Sequence, residues 1–536
     1  MGPNLHTSNA LPADEGSISR SIAVSSRAGR SLSGIAVEAR RLWDDKRVRL
    51  IVGVALAALY GLVAGLVTPR GPMTSAAALA AMATSVGIGV VAGMATRSRG
   101  AMLWGPLAFV AVFELARLDA VGPTVDGLHL GSEYGLIAFV VGRGFHGAVV
   151  IAVMILAASF GAGIARRRHP SVVPRSGWRT AGVVARRAIA GLTTIALVVL
   201  AVGLARPAST APILGSRGEL LPGSVAELSA VAVNGHDLSL VIRGQSAANP
   251  VLLYLAGGPG GSDVGGMRAY LQALERDFVV VTWDQRGTGT SYAQLEPTST
   301  LTFAGAVDDT VAVTQYLQQR FQGGKVFLVG NSYGTLLGVR AVQQRPDLFA
   351  AFVGTGQMVD VAETDRTIYV DTLAWARSKG NTSLVDQLAT IGPPPYADIL
   401  NYEAALSHLD EVYPYDHTPN AEGAGGFSSN LTPSEYTLVD TVHAFGGFLD
   451  TFAAIYPGMQ DIDLRKDATT LSVPVYVVEG RFETHARSDL AHEWFAGLQA
   501  PYKELIVLDT SGHRSLFEQP DRFVQVMSDV LARSRT

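Results

Sequence analysis

The spacing of apolar and polar positions changes character once along the chain, near residue 206. Upstream, apolar residues form long runs at 50–67, 73–95, 101–116, 144–165 and 188–205. Each approaches the roughly 20 residues that a helix needs to cross the hydrocarbon of a bilayer. The pattern predicts about five transmembrane helices over residues 48–206, with the third the shortest and carrying Glu114, and with the fourth free to start earlier because 135–141 is also apolar. Downstream, the apolar runs shrink to four to six residues, at 251–255, 278–283, 326–329, 351–354, 475–478 and 505–508, separated by helix-like segments. Such short buried-type runs alternating with helices predict a mostly parallel sheet covered on both faces. A hairpin at 228–233 and 237–242, turning at Asn234-Gly235, precedes them; Asn-Gly supplies the two positive φ angles of a tight hairpin turn.

The alternation breaks between 359 and 466, where helical pieces surround the Gly392-Pro393-Pro394-Pro395-Tyr396 breaker and a Gly-rich loop at 422–427. This stretch reads as a mainly helical cap inserted above the sheet, which divides the sheet-forming part into 207–358 and 467–536. Residues 1–47 are rich in Ser, Ala and Arg and read as a disordered basic tail with an amphipathic stretch at 35–43.

Charge orients this plan. Only 16% of the 536 residues are charged while 48% are hydrophobic, and the mean hydropathy is +0.25. That is too apolar for a purely soluble enzyme. The net charge of −4 divides into +12 over residues 1–206 and −16 over the remainder. Arginines and lysines flank the cytoplasmic ends of membrane helices. Those before the first span, Arg97 and Arg99, and the group from Arg166 to Arg187 then lie inside, and residues 207–536 emerge outside the cytoplasm. Arg70, Arg117 and Arg143 are exceptions on the outer side, and Arg143 is placed to pair with Glu114. The last span is also of signal-peptide length, with small residues after it where cleavage would separate the soluble half. The absence of cysteine excludes disulfides, thiolate metal sites and a cysteine nucleophile.

The candidate chemistry centres on Gly330-Asn331-Ser332-Tyr333-Gly334, which follows a buried strand and opens a helix. In that context a G-x-S-x-G sequence exposes a nucleophilic serine on a sharp turn. A serine hydroxyl needs a base, and the base needs a carboxylate to fix its tautomer. His513, on the loop after the last strand, is the expected base. Glu483, just past the preceding strand, is the expected acid, with Asp489 and Glu479 as competitors. The tetrahedral oxyanion needs two fixed donors. The N–H of Tyr333 is one, and the N–H of Gly258 in the loop Ala256-Gly257-Gly258-Pro259-Gly260-Gly261 is the other. Neither a phosphate-binding P-loop nor a dinucleotide fingerprint is present, so the glycines of that loop do not read as a nucleotide site.

GGPGG at 257–261, DQRGTGTS at 284–291, GNSYG at 330–334 and SGH at 511–513 together resemble the proline iminopeptidase-like family of α/β-hydrolases, over roughly residues 225–532. The resemblance implies the α/β-hydrolase fold with a helical cap. It also implies Ser332 as nucleophile, His513 as base, Gly258 and Tyr333 as the oxyanion hole, and a supporting loop at 284–287. Two departures stand out: Ala256 occupies a place usually held by His, and Glu483 one usually held by Asp. The family's aminopeptidases grip a substrate amine with cap carboxylates, for which Glu363, Asp360 and Glu403 are the candidates here. The expected activity is release of N-terminal residues, proline included, from short peptides, with no cofactor or metal and no nucleic-acid partner. An esterase or amidase acting on a lipophilic metabolite is the alternative enzyme. A membrane sensor or transporter whose hydrolase-like domain only binds is the alternative of another class.

Overall fold

The computed structural model describes residues 45–167, 177–322, 324–423, 429 and 431–535. The basic tail up to residue 44, Arg168, Arg175 and most of the Gly-rich loop at 422–427 lie outside the described residues.

Eight strands form one sheet: β1 (Val225–Val233), β2 (His236–Gly244), β3 (Val251–Leu255), β4 (Val279–Asp284), β5 (Val326–Asn331), β6 (Phe349–Thr355), β7 (Val475–Gly480) and β8 (Lys503–Leu508). Their order is β1-β2-β4-β3-β5-β6-β7-β8. The hairpin of β1 and β2 is antiparallel and β2 pairs antiparallel with β4, whereas every later pair is parallel. The period-two alternation of the central strands divides their side chains between two cores. Leu253, Leu255, Val281 and Leu328 enter one cluster, and Leu252, Tyr254, Val280 and Phe327 the other. Both faces are therefore dry, as continuous apolar strands require. Between β6 and β7 the chain leaves the sheet and builds helices Val361–Ser378, Thr382–Ile391 and Leu438–Ile455 with several shorter turns.

The N-terminal region consists of apolar helices. Lys46–Val67, Ser75–Thr96, Glu133–Arg167 and Ala181–Ala205 are long and apolar enough to cross a membrane. Ala101–Ala116 is shorter, about 24 Å at 1.5 Å per residue. The fourth segment begins at Glu133, earlier than the apolar run at 144–165, because the helix continues through π-helical turns at Val140–Gly144 and Gly147–Ala152. A further helix of sufficient length and hydropathy is Leu438–Met459. It lies in the segment between β6 and β7, and no residue from Leu438 to Tyr456 is exposed.

That helix joins the two halves. Asp450 and Arg70 form an ion pair at 2.9 Å with both side chains fully buried. Thr124 donates to Asp450 from its backbone (3.1 Å) and its hydroxyl (2.6 Å), and the Tyr292 hydroxyl donates at 2.9 Å. Arg70 also donates to Glu296 at 2.8 Å. Charges removed from water this completely are tolerated only when every partner is in place. A second junction is made by Glu403, which accepts the backbone N–H groups of Glu133 (2.5 Å) and Tyr134 (3.0 Å). Glu114 is held by Arg143 (3.1 Å), and Arg117 shares it at 2.6 Å.

Candidate active site

Ser332 stands between β5 and the helix Tyr333–Gln344 with φ +52°. That region is costly for a residue with a side chain, so the surrounding structure must impose it. The neighbouring glycines show how. A Cβ on Gly330 would lie 2.4 Å from the Gly334 carbonyl oxygen, and one on Gly334 would lie 2.2 Å from that of Leu255. The Ser332 N–H donates to Thr355 O at 2.9 Å, which fixes the turn to the end of β6.

His513 follows β8 on a loop laced to the end of β7. Phe482 N donates to Ser511 O at 2.9 Å and Arg481 N to Leu508 O at 2.8 Å. The imidazole lies against Gly356, one residue past Thr355, where an added Cβ would be 2.8 Å from Cε1. His513 Nδ1 and Glu483 Oε2 are 2.5 Å apart. The other oxygen of Glu483 accepts from Thr484 N at 2.9 Å and Arg487 Nη1 at 3.3 Å. Burial pushes the Glu483 carboxyl up. The imidazole's charge and hydrogen bond, Arg487 and the Thr484 N–H outweigh this and hold it at about 2. Its ionisation therefore favours folding above its ordinary value of 4.5, and that contribution is lost as pH falls toward 2.

Ser332, Glu483 and His513 border one cavity of about 340 Å³. The Ser332 hydroxyl is turned toward Met358 Sδ at 3.8 Å and, among the described residues, makes no hydrogen bond to His513. Rotation about χ1 is the motion that redirects it, and such contacts tighten when substrate arrives. The competing acids lie elsewhere. Glu479 pairs with His492 at 2.6 Å, and Asp489 sits on the surface 3.7 Å from His485.

Gly257 and Gly258 line the same cavity, and neither spends its N–H on a backbone partner among the described residues. Gly258 adopts φ +129°, which a side chain would resist. Tyr333 buries its ring against Phe303, and its N–H is the first of the helix, without an intrahelical acceptor. The loop after β4 supports this wall, since Gln285 Nε2 donates to Ala256 O at 3.3 Å.

The cap carboxylates expected to grip an amine do not reach the cavity. Asp360 and Glu363 pair with Arg465 at 2.9 and 2.6 Å, and Glu403 is spent on the N-terminal half. The cavity instead meets Asp365 and Asp410. Asp365 is on the same helix as Glu363, two residues on, and turns inward, a distinction that charge alone cannot make in a sequence. Burial pushes Asp365 up to about 6, against hydrogen bonds from Tyr456 and Gln460 and the charge of Arg487. Phe448, Phe452, Tyr456 and Tyr134 add an aromatic wall.

Comparison with known proteins gives the family. A model of the alpha/beta hydrolase family matches residues 252–526, just over half of the chain. A probable aminopeptidase, YbaC, of Bacillus subtilis strain 168 is 28% identical over 317 residues, which cover 57% of this chain and 96% of that protein. A probable proline iminopeptidase of Leptolyngbya boryana is 22% identical over 310 residues, covering 54% and 91%. Among solved structures, a proline iminopeptidase-related protein from Thermus thermophilus aligns with a TM-score of 0.42 at 20% identity, covering 57% of this chain and 98% of that one. By its sheet order, its serine turn and this family match, the chain belongs to the alpha/beta hydrolase family.

Proposed function

We propose that the protein is a membrane-anchored serine hydrolase acting through an acyl-enzyme, of aminopeptidase type, releasing N-terminal residues from short peptides. The observation that carries this reading is the 2.5 Å contact of Glu483 with His513 Nδ1 at a cavity shared with Ser332. Glu483 accepts a hydrogen bond from Nδ1–H, which leaves Nε2 free to take the proton of Ser332 as Oγ attacks the scissile carbonyl. The N–H groups of Tyr333 and Gly258 stabilise the oxyanion. His513 then protonates the leaving amine, and water, activated by the same base, releases the acyl group. Asp365 and Asp410 are the carboxylates within the cavity that suit a substrate's free amine.

The assignment of 207–358 and 467–536 to the hydrolase core, 359–466 to the cap and 48–206 to the membrane belongs to this reading, as does an extracytoplasmic active site. Supporting the orientation, the hydrolase half touches the N-terminal half at Arg70, Thr124 and Glu133–Tyr134. With each helix crossing once, all these contacts share one side. Arg99 lies within electrostatic reach of Arg166 and Arg186 on the other. The aromatic wall of the cavity favours a second reading, an esterase or amidase acting on a lipophilic substrate. Intact cells treated with a fluorophosphonate should label the protein but not Ser332→Ala; labelling of both, or of neither, defeats the hydrolase. Faster turnover of aminoacyl 4-nitroanilides than of short acyl esters selects the peptidase.

A further inference from the structure

Among the described residues, Tyr134 is the single N-terminal-half residue that borders the cavity of Ser332 and His513. It stands at the head of the helix Glu133–Arg167. Its ring packs with the apolar cluster that contains Tyr402, Phe452 and Tyr456, and one turn further on Ala138 is buried in the same cluster. This position is built rather than incidental. The first three N–H groups of a helix have no intrahelical acceptor. Here Glu133 and Tyr134 donate theirs to the two oxygens of Glu403, and Gly135 donates to Ser132 Oγ at 2.9 Å. A carboxylate at that end also meets the positive pole of the helix. Immediately behind, the buried Arg70–Asp450 pair fixes the helix that carries Phe448 and Phe452, Tyr134's neighbours around the cavity. The match to the hydrolase family begins only at residue 252, so Tyr134 comes from outside the part of the chain that the model matches.

We propose that the membrane half completes the substrate pocket, with Tyr134 as a specificity-determining residue that limits the size of the apolar group accepted beside Ser332. The proposal rests on the serine hydrolase reading. Tyr134 is held in place by Glu403, which acts as a positioning residue. The membrane helices are then part of the active site as well as its anchor, and the preferred substrates carry an apolar side chain or acyl group that fits against the Tyr134 ring.

The test uses the full chain in detergent and two fluorophosphonates, one with a short and one with a long alkyl group, and reads the rate of inactivation at Ser332. Tyr134→Ala should raise the ratio of the long-chain to the short-chain rate about tenfold, the scale on which apolar pockets discriminate by size. Tyr134→Trp should lower the ratio, and Tyr134→Phe should keep it. Glu403→Gln, which cannot accept both N–H groups as the carboxylate does, should move the ratio in the direction of Tyr134→Ala. A misfolded protein cannot give opposite shifts for Ala and Trp, and if the Ala variant does not fold, the Trp and Phe variants decide. Ratios unchanged in Ala and Trp while Ser332 still reacts would overturn the proposal and leave the hydrolase standing. A wild-type chain that reacts with neither probe would fail the hydrolase reading itself.

Discussion

The two halves use apolar residues in opposite ways. In Lys46–Val67 and Ser75–Thr96 the buried positions are mostly small, Gly53, Ala57, Gly61, Ala64 and Gly65 in one helix, Ala78, Ser85, Gly89, Ala92 and Gly93 in the other. The large residues Leu59, Leu66 and Val67 face outward. A Cβ on Gly93 would lie 2.2 Å from Ala158 O, so Ser75–Thr96 and Glu133–Arg167 touch backbone to backbone. In the hydrolase half the order is reversed, and Trp283, Trp494, Tyr254 and Phe278 are among the most deeply buried side chains. Water drives large apolar groups inward. Lipid gives no such drive, and helices then associate through close contact of small residues. The helix Leu438–Ile455 is instructive because it belongs to neither pattern: apolar enough to cross a membrane, it packs between the two halves with every residue buried or half-buried.

The junction is where the comparison breaks most severely. Asp450→Ala leaves Arg70 buried without its main partner, and the expected loss is about 3–5 kcal/mol. Thermal inactivation of the purified chain in detergent would measure it. Replacing both residues with leucine should recover the part that comes from the unpaired charge, while the Thr124 and Tyr292 donors left without an acceptor retain the rest; a double variant as unstable as the single one would refute that account. Next in size is a matched pair of truncations on helices. Leu317, fully buried against the sheet, should lose about 2–5 kcal/mol on change to Ala. On the membrane reading Leu192, 69% exposed on the last N-terminal helix, should lose less than about 0.5 kcal/mol, because its side chain then stays in an apolar solvent before and after unfolding. Equal losses at the two positions would erase the contrast between the halves.

Much of this organisation is legible in the sequence because it is local. The strands at 251–255 and 326–329, the Asn234-Gly235 turn and the serine turn each follow from a few adjacent residues, and the structure reproduces them with edges moved by a few positions. Glu483 is legible through its place after a strand. Pairing across long separations is not. By sequence Arg70 is an exception to the charge rule for membrane loops, yet it is neutralised by Asp450 and Glu296, far along the chain. By sequence Glu403 is a candidate ligand for a substrate amine, yet its oxygens hold the backbone of the other half. A carboxylate's partner is set by the tertiary fold, and its neighbours in sequence carry little information about it.

The two arginines on Glu114, Arg117 and Arg143, give a small effect and the finest test. Both converge on Glu114, Arg117 through three contacts of 2.6–3.0 Å and Arg143 through two of 3.1 Å. Glu114 and Arg143 are partly exposed, so their pairing is worth less than about 1 kcal/mol. A simple pair would be restored by exchanging the charges, Glu114→Arg with Arg143→Glu. Here the exchange sets a new arginine beside Arg117, which is anchored by its own bond to Pro69 O at 3.0 Å. The double variant should therefore recover only part of the inactivation temperature lost in the single ones, and adding Arg117→Gln should recover the rest. Full recovery in the double variant would mean that Arg117 does not feel Glu114, and the three-residue cluster would reduce to one ion pair with a bystander.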